Sequence, residues 1–236
     1  MKVRVRFSKK GNMKFIGHLD VMRYFQKTIR RVGLDVTYTE GFSPHMIMSF
    51  ASPLGTGLTS DAEYMDMELQ TPVSSKEAIE RLNQAGTEEL LVTGFVRIPE
   101  GRADKAMTLV AAADYTLRFR KGRMPEPDWK SGFSSFFAQE HIPVMKKTKR
   151  SEKEVDIRPM IYEWFLDEDT LFLQLAAGSV ENLKPELVLD TYLDALGVPS
   201  DPFAYEINRR EIYADIGTDG SRHLKSLYDL GTEIVL

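Results

Sequence analysis

The sequence predicts an α+β fold made of two tandem ferredoxin-like (βαββαβ) units with antiparallel sheets. Two observations support this class: short segments alternate apolar and polar residues with a period of two, and longer segments repeat apolar residues every three or four positions. In the first hundred residues these segments follow the order β-α-β-β-α-β, and the second half repeats that order without residue identity. We therefore predict one unit at residues 1–100 and a second unit, with a C-terminal extension, at residues 106–236.

The elements of the first unit follow from periodicity and from residues that begin or end helices. A strand is predicted at 3–8 and a helix at 17–32, where Gly33 provides the C-cap. A second helix is predicted to end near residue 85, and near its start Ser74 and Glu77 have the spacing of a capping box. Strand-like segments complete this unit at 35–38, 63–70 and 90–98, and residues 46–51 are predicted to form a short strand or an extended loop.

The second unit is predicted in the same way. Its strands are expected at 108–120, 154–165, 170–176 and 205–213, and its helices at 128–140 and 185–196. The turn at 167–169 separates the second and third of these strands, which indicates a hairpin. Pro159 lies inside the second strand and favours a sheet edge or a strand end at that point.

Charge is distributed unevenly along the chain. The first fifty residues contain 10 Lys and Arg against 3 Asp and Glu, an excess of +7, whereas the next fifty contain 3 against 9, an excess of −6. The formal net charge of the whole chain is −4, so the total conceals a basic N-terminal region. Because clustered Lys and Arg create a positive potential, this pattern indicates a polyanionic partner.

The composition excludes several kinds of site. The chain contains no Cys, so it forms no disulfide and cannot ligate an iron–sulfur cluster through thiolates. Its four His residues are scattered, and we expect no metal site. No apolar run approaches the ~18 residues that a membrane span requires. The N-terminal MKVRVRF has no apolar signal core, so we expect a cytoplasmic protein without a membrane partner.

The predicted helix at 17–32 carries a basic face beside the start of the chain. Its cations recur at i, i+4, i+7 and i+8, and Lys14 lies shortly before them. We expect this set to bind RNA or another anion through phosphate contacts, although an ordinary solvated helix face has the same pattern. The cations of the helix are Arg23, Lys27, Arg30 and Arg31.

The first turn of this helix contains His18 and Asp20. Unpaired backbone N–H groups there favour an anion, and a His can donate a hydrogen bond or transfer a proton. A capping turn with a packed His is the alternative interpretation. His18 is therefore one candidate catalytic residue, and His45 in the following loop is the other.

The segment at 40–57 combines glycines, aromatic rings and small polar groups. Phe42, Ser43, His45 and Ser49 are the expected binding-loop residues, because aromatic rings stack on unpaired bases while polar groups contact their edges. The same composition suits a pocket the size of S-adenosylmethionine, or a loop that only completes the core. A secondary polar site is predicted from Asp156, Arg158 and Arg209, with Asp156 and Arg158 on one face of a strand.

Five segments together resemble an uncharacterised bacterial family known as radical-SAM-linked proteins. The resemblance implies an accessory role around RNA or ribosome maturation, beside a cobalamin-binding-type radical S-adenosylmethionine protein. It also implies that S-adenosylmethionine, cobalamin and the iron–sulfur cluster belong to that partner and not to this chain. The segments are VRVRFSKKGNMKFIGHLDVMRYFQKTIRR, EGFSPHMIMSFASPLGTGLTSDAEYMDMEL, KEVDIRPMIYEW, LKPELVLDTYL and NRREIY.

These observations favour an accessory binding protein that presents RNA, ribosomal or transfer RNA included, or another substrate to a partner radical enzyme. Two alternatives stay open. Tandem ferredoxin-like units also build metal-independent endoribonucleases of the CRISPR-processing type, in which His18 or His45 would act as the general acid or base. The basic surface would also suit a protein–protein adaptor that docks an acidic partner.

Overall fold

The structure is a computed structural model that describes residues 1–101, 105–125, 129–147 and 152–236. These residues form five α-helices and twelve β-strands, joined by turns and short 3₁₀ segments. The helices are α1 (His18–Val32), α2 (Ser75–Gln84), α3 (Ala106–Leu109), α4 (Phe133–Phe137) and α5 (Pro185–Ala195). The strands are β1 (Lys2–Lys9), β2 (Met48–Phe50), β3 (Thr59–Glu68), β4 (Val92–Arg97), β5 (Val110–Phe119), β6 (Pro143–Lys147), β7 (Glu152–Asp156), β8 (Ile161–Asp167), β9 (Thr170–Ala176), β10 (Tyr205–Asp215), β11 (Leu224–Ser226) and β12 (Thr232–Glu233).

The chain divides into two compact units. The first comprises residues 1–112 and 209–236, and the second comprises residues 113–208. The sequence predicted the units at 1–100 and 106–236 and thus placed the C-terminal segment in the second unit. The segment belongs to the first unit because β12 pairs with β4, while β11 pairs with the end of β10.

In the first unit, β1 pairs antiparallel with β3 and β4, and β2 pairs antiparallel with β3, which confirms the α+β class. Strand β1 lies between β4 and β3, and the short β2 pairs with β3 at the end of that strand. One face of this sheet packs on α1 and α2. Val5 and Phe95, which lie opposite each other on neighbouring strands, are fully buried on that face with Ile29 of α1.

Helix α1 agrees with its prediction at both ends. It begins after Gly17, which supplies no side-chain cap, and ends at Gly33, whose φ of 64° is the left-handed conformation that glycine adopts without strain. The apolar face holds the helix on the sheet, because Phe25 and Ile29 are almost completely buried. At the start of α2, the Ser74 hydroxyl accepts a hydrogen bond from the Glu77 N–H, as the capping-box spacing predicts.

The second unit contains β5, β9 and β8 as neighbouring strands, with β9 in the middle. Its core is aromatic: Phe133 of α4 stacks on Tyr192 of α5 at a centroid distance of 4.1 Å, and Phe137 stacks on Trp164 at 4.5 Å. The predicted helix at 128–140 is wrong in extent, since α4 has only five residues; residue 128 lies outside the described residues. Short segments of this kind are held by tertiary packing, because an isolated turn of helix is unstable.

The predicted strand at 154–165 is only partly correct: its second part forms β8, which pairs with β9 in the predicted hairpin. Residues 152–156 form β7, which pairs with β6 in a separate two-stranded sheet, and β8 begins only at Ile161. A 3₁₀ turn at Arg158–Met160 separates the two strands. Pro159 explains the break, because it has no N–H to donate to a neighbouring strand.

The sheet face opposite α1 and α2 buries an ion pair. Arg4 of β1 has no exposed surface, and its Nε lies 2.7 Å from Asp66 Oδ1, while its Nη2 lies 3.1 Å from Asp66 Oδ2. A third guanidinium donor reaches the Leu227 carbonyl at 3.0 Å, and the Ala106 N–H donates to Asp66 at 2.6 Å. This network ties β1, β3, the start of α3 and the C-terminal segment together.

We expect Asp66→Ala to destabilise the protein by about 3–5 kcal/mol, because it leaves the Arg4 guanidinium buried without a counter-charge. The double variant Arg4→Met/Asp66→Leu removes both charges and should recover most of that loss. Urea unfolding of the single and double variants measures both effects. A double variant that is less stable than Asp66→Ala would show that the ion pair itself, and not its imbalance, determines stability.

Candidate functional site

The outer face of α1 is a cationic surface. Helical spacing places Arg23, Lys27, Arg30 and Arg31 on the side opposite the buried Phe25, and all four side chains are exposed. We call these four residues the α1 basic face. It is displayed on a rigid element, because the other side of the helix is fixed in the core.

Two members of the α1 basic face have weak internal partners. Arg23 pairs with Asp20 at 3.0 Å, but the two side chains are 65% and 60% exposed, so the pair contributes little. Arg31 donates to the Ala85 carbonyl at 2.8 Å. Lys27 and Arg30 form no ion pair with any residue that the structure describes. The face therefore keeps its positive charge available to a partner.

Lys14 lies in the 3₁₀ turn Gly11–Phe15, which precedes α1. Its ammonium lies 5.3 Å from the centroid of the Phe15 ring, which is largely exposed. The Lys14 carbonyl accepts a hydrogen bond from the Gly57 N–H at 2.7 Å. This bond joins the turn to the end of the 40–57 segment.

The start of α1 packs against the loop that follows it. The half-buried His18 ring meets the Phe50 ring edge-on, with 4.9 Å between centroids and 85° between planes. His18 also lines a small cavity of about 20 Å³ together with Lys9 and Glu63. Asp20 is exposed and engaged with Arg23. His18 thus has a packing role at this position, and proton transfer by it stays a prediction.

A buried ionic cluster lies beside His18. Arg209 binds Glu63 with two hydrogen bonds, 2.8 Å from Nε to Oε1 and 2.5 Å from Nη2 to Oε2, and both residues are buried. Arg209 Nη2 also donates to the Ser52 carbonyl at 2.6 Å. Lys9 is 2% exposed and donates to the Ile16 carbonyl at 3.0 Å. Burial lowers the pKa of Lys9, the nearby Glu63 raises it, and Arg209 lowers it.

Sequence patterns did not predict Lys9 and Glu63 as site residues, although the sequence contains a signal for Glu63. Residues 63, 65, 67 and 69 share one face of β3 and its continuation, and the other three are Met65, Met67 and Leu69. A carboxylate on an otherwise apolar face is buried, and a buried carboxylate needs a cation. Arg209, its partner, lies 146 positions further along the chain, so only the fold identifies the pair.

The predicted loop residues have different environments. Phe42 is fully exposed and Ser43 is exposed. The His45 N–H donates to Thr39 Oγ1, and His45 Nδ1 lies 3.1 Å from the same hydroxyl, which fixes this His at the base of the loop. Ser49 lies in β2, and it lines a cavity of about 210 Å³ with His45.

The predicted secondary polar site is not one strand face. Strand β7 ends at Asp156, and Arg158 begins the 3₁₀ turn, so the two side chains do not alternate along a strand. Asp156 instead accepts hydrogen bonds from the Ile142 and Arg158 N–H groups and lies 2.8 Å from His141 Nδ1. The Arg158 guanidinium donates to the Ile161 carbonyl, whereas Arg209 belongs to the ionic cluster with Glu63.

Two kinds of feature are absent from the part of the chain that the structure describes. No group of three or more His, Asp or Glu side chains is arranged to hold a metal ion. None of the helices within the described ranges combines the length and the apolar character that a bilayer span needs.

The two units, with mostly antiparallel sheets and helices packed on them, define an α+β protein. A family model described as "Uncharacterized protein conserved in bacteria (DUF2344)" matches residues 2–185, and the chain belongs to this family. The match includes β1, α1, the loop after it and β3. The association with a radical S-adenosylmethionine protein stays a prediction.

No curated protein matches the chain. Among solved structures, the chain is similar to one in "Crystal Structure of a Cbf5-Nop10-Gar1 Complex", with 10% sequence identity and a TM-score of 0.46. The match covers 89% of this chain and 48% of the other, so this chain spans about half the length of that structure's chain.

We expect Glu63→Gln to cost about 3–5 kcal/mol of unfolding free energy, because it removes the charge that compensates buried Arg209 and Lys9. Asp61→Asn on the same strand is the matched control: Asp61 contacts Lys10 and Arg210, all three side chains are at least about one-third exposed, and its loss should cost under about 1 kcal/mol. Urea unfolding compares the two. Equal losses of unfolding free energy in the two variants would show that the buried carboxylate contributes no more to stability than the exposed one.

The pKa of the Asp156 carboxyl should be unusually low. Its hydrogen bonds from His141 and from the Ile142 and Arg158 N–H groups lower its pKa from 3.8 to about 2. A carboxyl whose folded pKa is depressed stabilises the fold above its ordinary pKa, and this contribution is lost as the pH falls from about 4 through about 2. NMR titration of the Ile142 and Arg158 amides should give a midpoint near the lower value.

The variant His141→Ala tests the cause of that shift. It removes the largest contribution, so the midpoint should move upward while the two backbone hydrogen bonds remain. A midpoint near 3.8 in the unaltered protein would show that Asp156 does not hold this turn in solution.

Proposed function

We propose that this chain is a binding protein that holds single-stranded RNA on the α1 basic face and presents it to a partner enzyme. The observation that carries the proposal is the exposure of four cations on one side of a rigid helix, two of which form no ion pair with any described residue. Arg guanidinium groups suit phosphates, because their planar donors make paired hydrogen bonds.

The loop after α1 supports RNA over other polyanions. Phe42 is a fully exposed aromatic ring, and proteins that bind single strands use such rings as stacking platforms for bases. The contact of His18 with Phe50 joins the start of α1 to β2, the strand that follows this loop. In proteins that bind single-stranded RNA, cations contact the phosphate backbone and aromatic rings stack on the bases. A cationic helix next to an aromatic loop provides both kinds of contact.

The partner in this proposal is a radical S-adenosylmethionine protein. It would carry S-adenosylmethionine, cobalamin and the iron–sulfur cluster, since this chain has no Cys to ligate such a cluster. The proposal also includes the finer architecture, in which each unit is a ferredoxin-like βαββαβ repeat. In the first unit it is supported by the strand order β4-β1-β3-β2.

Arg23→Glu/Arg30→Glu should weaken the binding of a single-stranded RNA at least tenfold at about 100 mM salt, because two phosphate contacts become repulsive. Arg118→Glu/Arg123→Glu is the matched control, with the same change in charge on two exposed arginines of the second unit. Fluorescence anisotropy gives the affinities, and circular dichroism checks that both variants fold.

Salt dependence gives a second measure of the same contacts. Each phosphate contact contributes about 0.7 to the slope of log K against log salt for a single strand, so the double variant should lose roughly 1.4 of that slope. Unchanged affinity and slope in Arg23→Glu/Arg30→Glu would reject the α1 basic face as the RNA site. Capture of an acidic protein that survives nuclease treatment, together with no RNA affinity, would favour an adaptor.

A further inference from the structure

The first unit contains a cavity of about 210 Å³ that is separate from the α1 basic face. Strand alternation decides which side chains point toward it. Val3 of β1 and Met67 of β3 belong to the core beside α1 and α2, so their strand neighbours Lys2 and Glu68 point to the opposite face of the sheet. The cavity therefore lies on the sheet face that is not covered by those two helices.

The charged side chains that line this cavity are not all paired with one another. Lys2 and Glu68 lie directly opposite each other across β1 and β3, but the Lys2 ammonium donates to the Glu100 carbonyl at 2.6 Å. Glu68 forms no ion pair with any residue in the described ranges. The neighbouring Asp66 is already satisfied by Arg4. Among the described residues that line the cavity, Glu68 is thus the carboxylate without an ion pair, and Lys2 and Lys105 also belong to the lining.

The size and walls of the cavity limit the occupant to one ring system. Sites for drug-sized ligands have roughly 300–1,000 Å³, so this volume is too small for a whole nucleotide. Ile47 and Ile98 supply apolar wall surface, while Ser49 adds a hydroxyl. A planar ring suits apolar walls, and its polar edge would meet Glu68 and the two ammonium groups.

We propose that this cavity takes the guanine base of a single-stranded RNA that is held on the α1 basic face. Guanine presents two N–H donors to a carboxylate and, beside them, an oxygen acceptor to an ammonium group. The other bases lack this pair of donors next to an acceptor. The inference rests on the proposed function and adds base selectivity to it, because phosphate contacts carry no sequence information.

The experiment compares a labelled uridine 10-mer with the same oligonucleotide containing one central guanosine. The unaltered protein should bind the guanosine oligonucleotide roughly tenfold more tightly, which is the discrimination of one good paired contact. Glu68→Gln, which keeps the shape of the cavity but removes the charge, should abolish the preference. This variant should bind the uridine 10-mer as tightly as the unaltered protein does, since the α1 basic face is intact.

The outcomes separate this inference from the proposed function. Equal binding of both oligonucleotides, with loss of both in Arg23→Glu/Arg30→Glu, would leave the RNA-binding proposal standing and reject the guanine site. A preference for the guanosine oligonucleotide that persists in Glu68→Gln would also reject it. If neither oligonucleotide binds, the RNA proposal fails; guanosine monophosphate that then shifts the Ile47 and Ile98 methyl signals would support the cavity, and no shift would reject it.

Discussion

Strand β3 has to bury a carboxylate on each of its two faces, and the first unit is organised around that constraint. Glu63 on the helix-covered face holds Arg209, and Asp66 on the opposite face holds Arg4. Desolvating four charges is unfavourable, and two-point hydrogen bonding to each carboxylate offsets the loss of hydration. Because the arginines come from β1 and β10, these pairs also fix which strands flank β3.

The two ion pairs also anchor the segments that lie next to the candidate binding surfaces. Arg209 reaches the Ser52 carbonyl, so the segment after β2 is anchored near the His18 and Phe50 contact. Asp66 accepts from the Ala106 N–H and thereby holds the start of α3 on the cavity side of the sheet. Side chains that need to meet a partner can then be exposed without disturbing the core.

The α1 basic face and the cavity have complementary physical characters. Exposed cations on a helix give attraction that depends on salt and is insensitive to sequence. In the proposed guanine site, selectivity would come from hydrogen bonding, because the wrong ring would leave Glu68 or an ammonium group unpaired. Both lie in the first unit, whose residues 2–112 fall within the family match.

Local patterns predicted α1, α2 and α5 well, whereas α4 is much shorter than its prediction. The bounds of α1 and the start of α2 followed from apolar spacing, Gly33 and Ser74, since helix ends depend on nearby residues. Strand pairing was harder: residues 152–156 have strand-like character, but their partner is β6 and not β9. Pairing depends on which distant segment is available, and a single strand does not encode that choice.

By itself, the sequence determined the α+β class, the amphipathic helix with its cations, and the absence of thiol chemistry, because these depend on composition and on spacing along one element. Only the tertiary structure decided the partners of the buried charges and the presence of the cavity. Arg4 and Asp66, and likewise Glu63 and Arg209, lie far apart in the chain, and their burial exists only once the strands are paired. Ion pairs between residues that are distant in the sequence could therefore be identified only from the tertiary structure.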